Sequence, residues 1–346
     1  VRVEAGAGTE ANYPDAAFLE SGAKVVPDLG ELLAGAGIVL TVQPPRAEVL
    51  APLSEGTMLV GFMNPSRNLD RVGRMRELKL TAFALELVPR ITRAQGMDAL
   101  SSQATVAGYA AALLGASNCP KFLPMLTTAA GTIRPSTVLV LGAGVAGLMA
   151  IATARRLGGL VEAYDVRRAA GEQVRSLGAK FLELEINAEG AGGYARELTS
   201  EEKLREQEMV GAALARADVV ITTANVPGRK APRLVAAAAV ERMRPGAVVV
   251  DLAAESGGNC ELTRPGETVR AHGVTILGPT NLPSQVPYHA SQMYAKNLQA
   301  FVGLLLGPQG ERVSDFSDEI LSGSLLLSGG EVRHVPTREA LAGGTT

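Results

Sequence analysis

The stretch that decides the fold is TVLVLGAGVAG, residues 137–147. Its first five residues form a β-branched, apolar run that predicts a short buried strand, and residues 145–157 have the apolar spacing of a helix. A glycine cluster lies between the two, so we expect a strand, a tight turn and a helix. The unit then repeats, with a strand over 160–165, a helix over 169–177 and a strand over 179–184. Successive βα units predict a parallel sheet.

The same pattern extends from this stretch in both directions. Downstream, we expect a complete doubly wound sheet, with helices over 201–216 and 233–243 and strands over 218–223, 247–252 and 274–277. Upstream, apolar runs separated by helix-length segments predict a second α/β domain, with strands near 1–3, 24–26, 38–42, 58–62 and 80–85. An Ala-rich helix over 101–116 and another over 288–306 are expected to link the two domains.

The predicted fold class is therefore α/β, with two Rossmann-like doubly wound parallel-sheet domains joined by linking helices and a cleft between them. The N-terminal α/β domain takes residues 1–100 plus 291–346, and the Rossmann domain takes residues 101–290. The run VRVEAG at 1–6 begins at once with strand-like alternation and has no initiator Met. We therefore expect an upstream segment to be missing.

Composition argues against several classes of protein. The 346 residues are enough for two domains, and 33 basic against 35 acidic residues give a formal charge of −2 without a basic block, so nucleic-acid binding is not expected. No window of about 18 consecutive apolar residues occurs, so direct membrane insertion is not expected either. Cys119 and Cys260 have no CxxC spacing, which favours a reduced, cytoplasmic setting and predicts no metal site.

The glycine cluster has the spacing of a dinucleotide-binding turn. Gly142, Gly144 and Gly147 match GxGxxG directly after a predicted strand and at the start of a predicted helix. Gly142 permits the tight turn, Gly144 lets the backbone approach a pyrophosphate, and Gly147 lets helix and strand pack closely. The helix N-terminus adds amide donors and a favourable dipole. In this context the motif favours a bound dinucleotide over an unliganded turn.

An acidic residue follows at the position that selects between cofactors. Asp165 ends the next predicted strand, where a carboxylate accepts hydrogen bonds from an adenosine ribose and repels a 2′-phosphate. This position favours NAD over NADP. Arg167 and Arg168 keep the alternative open, because an arginine here accommodates a 2′-phosphate. The other interpretation of Asp165 is a strand-end cap.

A polar segment, RITRAQGMDALSS at 90–102, follows the last strand of the N-terminal domain. Gln95 and Asp98 are three residues apart and would share one face of a helical turn. The carboxyl end of a strand is where open α/β sheets bind ligands. By itself, the segment fits a polar loop with a Ser101 or Ser102 helix cap as well as it fits a ligand site.

The histidines are far from this segment. His272, His289 and His334 all lie late in the chain. A dehydrogenase acting on an alcohol or amine must move a proton as well as a hydride, and histidine is the commonest proton carrier. The sequence therefore shows no obvious carrier. The glycine-rich residues 187–194 are open to two interpretations, a lid closed by Tyr194 or a surface loop.

Together these motifs resemble the NAD(H)-binding domain I of proton-translocating nicotinamide nucleotide transhydrogenase, over nearly the whole chain. The RxxRAQxMDxLSSQ run at 90–103 is specific to that family. It is accompanied by GAGVAGL at 142–148, GGYA at 192–195, ITTA at 221–224, and DLA at 251–253 with GGNC at 257–260. Alanine dehydrogenases look like more distant relatives of the same fold.

The resemblance implies an alpha subunit that binds NAD(H), forms a homodimer and docks an NADP(H)-binding domain of a membrane-embedded complex. Hydride then passes directly between two nicotinamides, so the missing proton carrier is expected. The implied enzyme is a Re/Si-specific, proton-translocating NAD(P)+ transhydrogenase, active only with its NADP(H)-binding partner. The chain would be cytoplasmic and peripheral to the inner membrane through partner subunits.

The resemblance also implies roles for individual residues, matched by position. The nicotinamide end is held and oriented by Arg90, Gln95, Asp98 and Ser101. The rest of the nucleotide is contacted by Gly142, Gly144, Val145, Gly147, Asp165, Val166, Arg167, Gly193, Tyr194, Gln207 and Asn225. Asn225 stands where we expect an apolar residue in relatives.

Two other functions are compatible with a dinucleotide-binding fold. An alanine-type amino-acid dehydrogenase needs a carboxylate clamp, for which Arg90 is available, and a proton-transfer group, which is missing. A non-enzymatic NAD sensor binds the nucleotide without turnover under any partner condition, and it does not require polar groups at the nicotinamide end.

Overall fold

The computed structural model describes residues 1–184, 199–225, 228 and 230–343. The strands are β1 Arg2–Glu4, β2 Lys24–Val26, β3 Ile38–Leu40, β4 Met58–Gly61, β5 Thr81–Ala84, β6 Leu126–Thr128, β7 Gly131–Ile133, β8 Thr137–Leu141, β9 Leu160–Tyr164, β10 Lys180–Phe181, β11 Val219–Thr222, β12 Val248–Asp251, β13 Thr268–Ala271, β14 Val274–Leu277, β15 Leu325–Ser328 and β16 Glu331–Val332.

The α-helices are α1 Asp15–Glu20, α2 Leu29–Leu33, α3 Ala47–Leu50, α4 Leu69–Glu77, α5 Ala99–Asn118, α6 Val145–Arg156, α7 Ala170–Ser176, α8 Ser200–Leu214, α9 Ala237–Val240, α10 Pro287–Leu305, α11 Glu319–Ser324 and α12 Val335–Gly343. The chain forms two compact units. Unit 1 comprises residues Val1–Gln103 and Pro287–Thr346, and unit 2 comprises Ala104–Val286.

Unit 2 contains a doubly wound sheet with the strand order β10-β9-β8-β11-β12-β14-β13. All neighbours pair in parallel except β13, which runs antiparallel to β14 at the edge. The central strands are buried on both faces, as in β8, where Val138 and Val140 face one apolar cluster and Leu139 and Leu141 face another. Burial on both faces explains why β8 is a continuous apolar run.

Several predictions for unit 2 were wrong in extent. The strand expected over 179–184 is only Lys180–Phe181, and the helix expected over 233–243 is only Ala237–Val240. The edge strand β13 and the β6–β7 hairpin were not predicted at all. These elements are short and half-exposed or exposed, so their sequences lack the apolar periodicity that a buried element imposes.

Unit 1 has its main sheet in the order β16-β15-β5-β4-β3. Strands β3, β4 and β5 pair in parallel, as predicted, whereas β15 from the last part of the chain joins β5 antiparallel. The first two predicted strands form a separate parallel pair, β1 with β2. The carboxyl ends of β4 and β5 lead into Phe62 and Leu85, so the polar segment at 90–102 follows the sheet edge at which α/β folds bind ligands.

Glycines allow the Ala-rich helix α5 to lie very close to its neighbours in unit 2. A Cβ on Gly108 would lie 2.1 Å from the carbonyl oxygen of Ala146 in α6, and one on Gly115 would lie 2.7 Å from Val219 Cγ1 in β11. Ala110 and Ala111 are buried in the same region. The low aromatic content is therefore matched by close backbone packing of small residues.

Gly108 and Gly303 provide a test of this packing. Both are helical glycines, but no described atom lies within 4 Å of a Cβ placed on Gly303. Gly108→Ala should lower the free energy of unfolding by about 1–3 kcal/mol, because α5 and α6 must separate. Gly303→Ala should leave it unchanged or raise it by up to about 1 kcal/mol through helix propensity. Thermal and urea unfolding measure both, and equal effects would contradict the close packing.

Candidate functional site

The GxGxxG turn joins β8 to α6 in unit 2. Gly142 has φ 99°, and a Cβ there would lie 2.6 Å from Thr223 Oγ1. A Cβ on Gly147 would lie 1.9 Å from the carbonyl oxygen of Gly142. Both positions therefore require glycine for the fold itself. Gly144 differs, because no described atom lies within 4 Å of a Cβ placed on it. The start of the helix therefore borders open space.

The first turn of α6 begins without a side-chain cap. Gly144 precedes the helix in an extended conformation, and the first regular helical bond runs from Leu148 N to Gly144 O at 2.8 Å. The amides of residues 145–147 thus form the positive end of the helix dipole beside open space. By contrast, Thr199 caps α8 with its hydroxyl and Asp28 caps α2 with its carboxylate. The residues at the start of α6 fit a pyrophosphate.

Asp165 lies directly after β9 and is linked to this turn. Its carboxylate accepts hydrogen bonds from Ala143 N at 2.8 Å and from Arg167 N at 2.8 Å. The Arg167 guanidinium adds two more, from Nε at 2.9 Å and Nη2 at 2.8 Å. Val166, between the two, is half-buried against the apolar cluster that includes Leu139. The structure therefore brings together Ala143, Asp165 and Arg167 at the carboxyl ends of β8 and β9.

A buried Tyr–Glu pair lies behind Asp165. Tyr164 ends β9 and accepts a hydrogen bond on its carbonyl from Gly142 N at 2.8 Å. Its hydroxyl is close to Glu206 of α8, and both side chains are buried. Burial raises the pKa of the Glu206 carboxyl. Burial, together with the negative charge of Glu206, raises the pKa of the Tyr164 hydroxyl.

The carboxyl ends of β11 and β12, on one side of β8, are held in place by polar side chains that sequence reasoning did not single out. Thr223 donates its hydroxyl to Gly142 O at 3.0 Å. The buried Asp251 accepts from Thr222 Oγ1, Ala253 N, Cys260 N and Thr263 Oγ1. Asn259 donates to Ala224 O at 2.8 Å and Pro232 O at 2.7 Å. The sequence signal for these residues was a polar side chain at the end of a buried strand, as at Asp251, or directly after one, as at Thr223.

The remaining residues matched to the nucleotide lie on three different elements or outside the described residues. Val145 is the exposed first residue of α6. Gln207 is exposed on α8, next to the buried Glu206, and Asn225 is exposed three residues after β11. Gly193 and Tyr194 lie outside the described residues, as does the whole of the predicted glycine-rich loop at 187–194.

In unit 1 the polar segment forms a 3-10 helix, Thr92–Met97, followed by α5. Asp98 caps α5, because its carboxylate accepts from Ser101 N at 2.8 Å and from Ser101 Oγ at 2.6 Å. The cap is therefore neither Ser101 nor Ser102, the two residues that one of the interpretations open from the sequence had named. Asp98 occupies the preceding position, and an ionised carboxylate accepts from the helix amide. Asp98 and Ser101 are thus in direct contact, while Arg90 and Gln95 are exposed.

A hydrogen bond and an ion pair attach this segment to other parts of unit 1. Asn297 of α10 donates its amide to Gly96 O at 2.9 Å, and Arg93 forms an ion pair with Asp318 at 2.7 Å. Glu86, just after β5, accepts from the backbone amides of Met63 and Asn64, and burial raises the pKa of its carboxyl. The polar segment is therefore attached to α10 and to Asp318 within unit 1.

The three histidines lie in three different parts of the chain, and two of them are exposed. His272 is exposed with Nε2 3.6 Å from Glu241, and His289 is exposed in the first turn of α10. His334 bonds to Thr337 Oγ1 at 2.7 Å, and burial lowers its pKa. Among the described residues, no group of three or more His, Cys, Asp or Glu side chains is arranged to hold a metal ion.

Two family models match this chain. The N-terminal domain model of alanine dehydrogenase/PNT matches residues 1–107, and the C-terminal domain model matches residues 111–335. The chain belongs to the alanine dehydrogenase/PNT family. Within this family it is similar to an NAD(P) transhydrogenase subunit alpha chain of Rhodospirillum rubrum, with 43% identity over 96% of this chain and 90% of the relative. The alanine dehydrogenase of Mycobacterium tuberculosis is 30% identical over 94% of this chain and 84% of its own.

A solved member of the alanine dehydrogenase/PNT family has the same fold. The crystal structure of transhydrogenase from Sinorhizobium meliloti matches with a TM-score of 0.87 and 42% identity, over 96% of this chain and 90% of that one. The resemblance to transhydrogenase alpha subunits drawn from the motifs is confirmed, with alanine dehydrogenase as the more distant relative. The predicted α/β class with two parallel-sheet domains is confirmed as well. None of the helices in the described residues is both long and apolar enough to span a bilayer.

The buried Glu206 leads to a prediction about how the stability of the chain depends on pH. Because its pKa is raised in the folded chain, the stability it contributes is present below its unfolded pKa and is lost as pH rises through the folded pKa. Glu206→Gln stays uncharged, so it should stabilise the chain by on the order of 1 kcal/mol at about pH 8 and by less at about pH 5. Melting temperatures at the two pH values measure this, with the exposed Glu208→Gln as the control. A difference that does not change with pH would contradict it.

Proposed function

We propose that this chain is the NAD(H)-binding alpha subunit of a proton-translocating, Re/Si-specific NAD(P)+ transhydrogenase. The observation that carries the proposal is the uncapped start of α6, with open space at Gly144, beside the carboxylate of Asp165. The matches to transhydrogenase alpha subunits support the same assignment. Hydride then passes directly between NAD(H) on this chain and NADP(H) on a partner domain.

In this proposal, different residues around the start of α6 contact different parts of NAD(H). The amides that follow Gly144 bind the pyrophosphate, and Gly142 and Gly147 keep the turn tight. Asp165 accepts from the adenosine ribose, with Val166 and Arg167 beside it. Further contacts are assigned by family position to Val145, Gly193, Tyr194, Gln207 and Asn225. When bound, the nicotinamide supplies the hydride chemistry.

Four residues of the polar segment orient the nicotinamide in this proposal. Arg90 and Gln95 are exposed, and the Asp98–Ser101 pair brings a carboxylate and a hydroxyl into contact. Direct transfer between two nicotinamides depends on the distance and angle between reacting carbons, so orientation is the main task of the protein here. The hydrogen bond from Asn297 of α10 to Gly96 O, within the segment, supports this role.

The chemistry of unit 1 favours transhydrogenation over amino-acid oxidation. An alanine-type dehydrogenase needs a proton carrier, and the described strand ends β3, β4 and β5 lead into Thr41, Phe62 and Leu85. The nearby carboxylate of Glu86 is engaged by two backbone amides. Hydride transfer between nicotinamides releases no proton at the site, so it requires no such carrier.

The partners follow from the same proposal. The chain forms a homodimer, docks an NADP(H)-binding domain and reaches the inner membrane on its cytoplasmic side through membrane subunits.

An apolar surface around the β6–β7 hairpin supports the homodimer, because Phe122 is 58% exposed, Met125 63% and Ile133 42%. Sedimentation analysis of the purified chain tests this, since a monomer at micromolar concentration would contradict it.

The function is tested by hydride transfer from NADH to an NADP analogue. We expect turnover only when the NADP(H)-binding component of the membrane complex is added. Nicotinamide absorbance changes measure it, and addition of alanine or pyruvate instead of the partner serves as the control. Turnover with those substrates alone would favour the dehydrogenase. Tight NADH binding without turnover under any condition would favour a sensor.

The polar segment makes a separate prediction. Gln95→Ala should slow partner-dependent hydride transfer by about tenfold or more while NADH affinity changes little, because orientation is lost before binding. Asp98→Asn should also slow transfer, since an asparagine keeps the helix cap and removes the charge. The exposed neighbour Thr92→Ala is the matched control. Single-turnover rates and fluorescence titrations separate the two effects, and a loss confined to affinity would refute the role.

A further inference from the structure

The amino-terminal edge of the main sheet in unit 2 borders an open cavity, at the opposite ends of the strands from the GxGxxG turn. The cavity has a volume of about 490 Å³. Thr137 and Leu160, the first residues of β8 and β9, line it, and so does Asp218, directly before β11. Sites for small molecules have volumes of about 300–1,000 Å³. The cavity is therefore large enough for a small organic molecule.

The charges that line this cavity are unbalanced. The cations are Lys121, Arg134 and Arg244, and the single carboxylate is Asp218. Asp218 Oδ1 accepts from Lys121 Nζ at 2.6 Å, and its Oδ2 accepts from Thr137 N at 2.9 Å. Arg244 Nη1 is 3.8 Å from Oδ1, which is beyond hydrogen-bond distance. Three cations against one carboxylate leave two positive charges in excess.

Other arginines of unit 2 have a structural role that these cations lack. Arg155 Nη1 donates to Gly159 O at 3.4 Å, and Arg216 Nη1 donates to Ala212 O at 2.9 Å, so both meet carbonyl groups near the ends of α6 and α8. Arg134 follows β7 outside any helix and is exposed. It has no hydrogen bond or ion pair with any residue in the described part of the chain. The fold itself therefore does not account for its charge.

The backbone segments that carry Lys121 and Arg134 are joined to each other. Ser136 donates its hydroxyl to Phe122 O at 2.8 Å and its amide to Leu123 O at 3.0 Å. Ser136 is also buried. These two bonds connect the residues after Lys121 to the residues after Arg134, which places both cations on one side of the cavity.

The turn that carries Arg244 packs against the same part of the chain. Gly246 has φ 83°, and a Cβ on it would lie 3.1 Å from Pro120 Cγ. Ala247 N donates to Arg244 O at 3.0 Å and closes the turn. Because Pro120 directly precedes Lys121, backbone contacts fix the positions of Arg244 and Lys121 relative to each other. Little backbone freedom is then lost when an anion binds.

We propose that this cavity binds the phosphate group of a small phosphate ester. Lys121, held by Asp218, supplies a compact positive charge, as lysine does at phosphate sites. Arg134 and Arg244 supply planar guanidinium groups, which bind phosphate oxygens in pairs. A phosphate monoester carries a charge of about −1.5 to −2 at pH 7, which matches the excess of the lining. The rest of the cavity, with Leu160 on its wall, takes the organic part.

This site is separate from the proposed nucleotide site and from the proposed homodimer surface. Neither Asp165 nor any residue of the GxGxxG turn lines the cavity. Phe122, Met125 and Ile133, the exposed apolar residues near the hairpin, do not line it either. Binding at the cavity can therefore be measured while NADH occupies the nucleotide site.

The experiment uses phenyl phosphate as the probe, with the full chain and saturating NADH. Calorimetry should give a dissociation constant below about 1 mM. Phenyl sulfate has a similar shape but a single negative charge, so it should bind about tenfold or more weakly than phenyl phosphate. Added salt should weaken the binding of phenyl phosphate, because the cations are exposed.

Substitution of the arginines locates the site. Arg134→Met and Arg244→Met should each weaken binding of phenyl phosphate by about tenfold, the factor that one charge-assisted hydrogen bond supplies. Arg270→Met, on β13 and outside the cavity, is the matched control and should leave binding unchanged. All three arginines are exposed, so thermal unfolding should show that the variants are as stable as the wild type.

The outcomes that contradict the phosphate site differ from those that contradict the proposed function. Absence of phenyl phosphate binding at about 10 mM would overturn the inference, as would equal losses in all three variants. Displacement of the probe by NADH would place it in the nucleotide site and would overturn the inference as well. If NADH itself does not bind, the proposed NAD(H) function fails, and the arginine variants then decide the phosphate site without NADH.

Discussion

The candidate nucleotide site depends on one steric constraint, the contact between the end of β8 and the start of α6. The carbonyl oxygen of Gly142 lies where a side chain on Gly147 would begin, so helix and strand meet without any intervening atom. This contact sets the direction of α6, and with it the direction of the first-turn amides beside Gly144. It also brings the amide of Ala143 to Asp165. The open space, the helix dipole and the carboxylate are thereby combined at one point.

Carboxylates that accept hydrogen bonds from backbone amides recur at the strand ends of both units. Asp165 follows β9 and bonds to the turn after β8, Asp251 ends β12 and organises the loop to Thr263, and Glu86 follows β5 and bonds to the turn after β4. A loop at the end of a buried strand leaves amides without sheet partners, and a buried carboxylate satisfies two or more of them. These side chains fix the conformation of the loops at the carboxyl-terminal edge of each sheet.

The sequence predicted the central buried strands of unit 2 best and missed several short exposed strands, together with the buried strand β15. Strand β8 matches its predicted bounds and α6 ends within one residue of them, because burial imposes a clear apolar pattern on both. Strands β6, β7 and β13 are exposed or half-exposed, so their residues carry no such pattern. Neither the cap by Asp98 nor the fold-back of Arg167 onto Asp165 was foreseen. Several short-range partners satisfy the same sequence, and only the backbone conformation selects among them.

The edges of the main sheet in unit 2 have a consequence for assembly. At one edge, β10 is only Lys180–Phe181, too short to guide an incoming strand. At the other, β13 alternates exposed and half-buried residues and carries Arg270. Short and charged edge strands discourage backbone pairing between separate chains. The main sheet of unit 2 is therefore poorly suited to being continued from one molecule into the next.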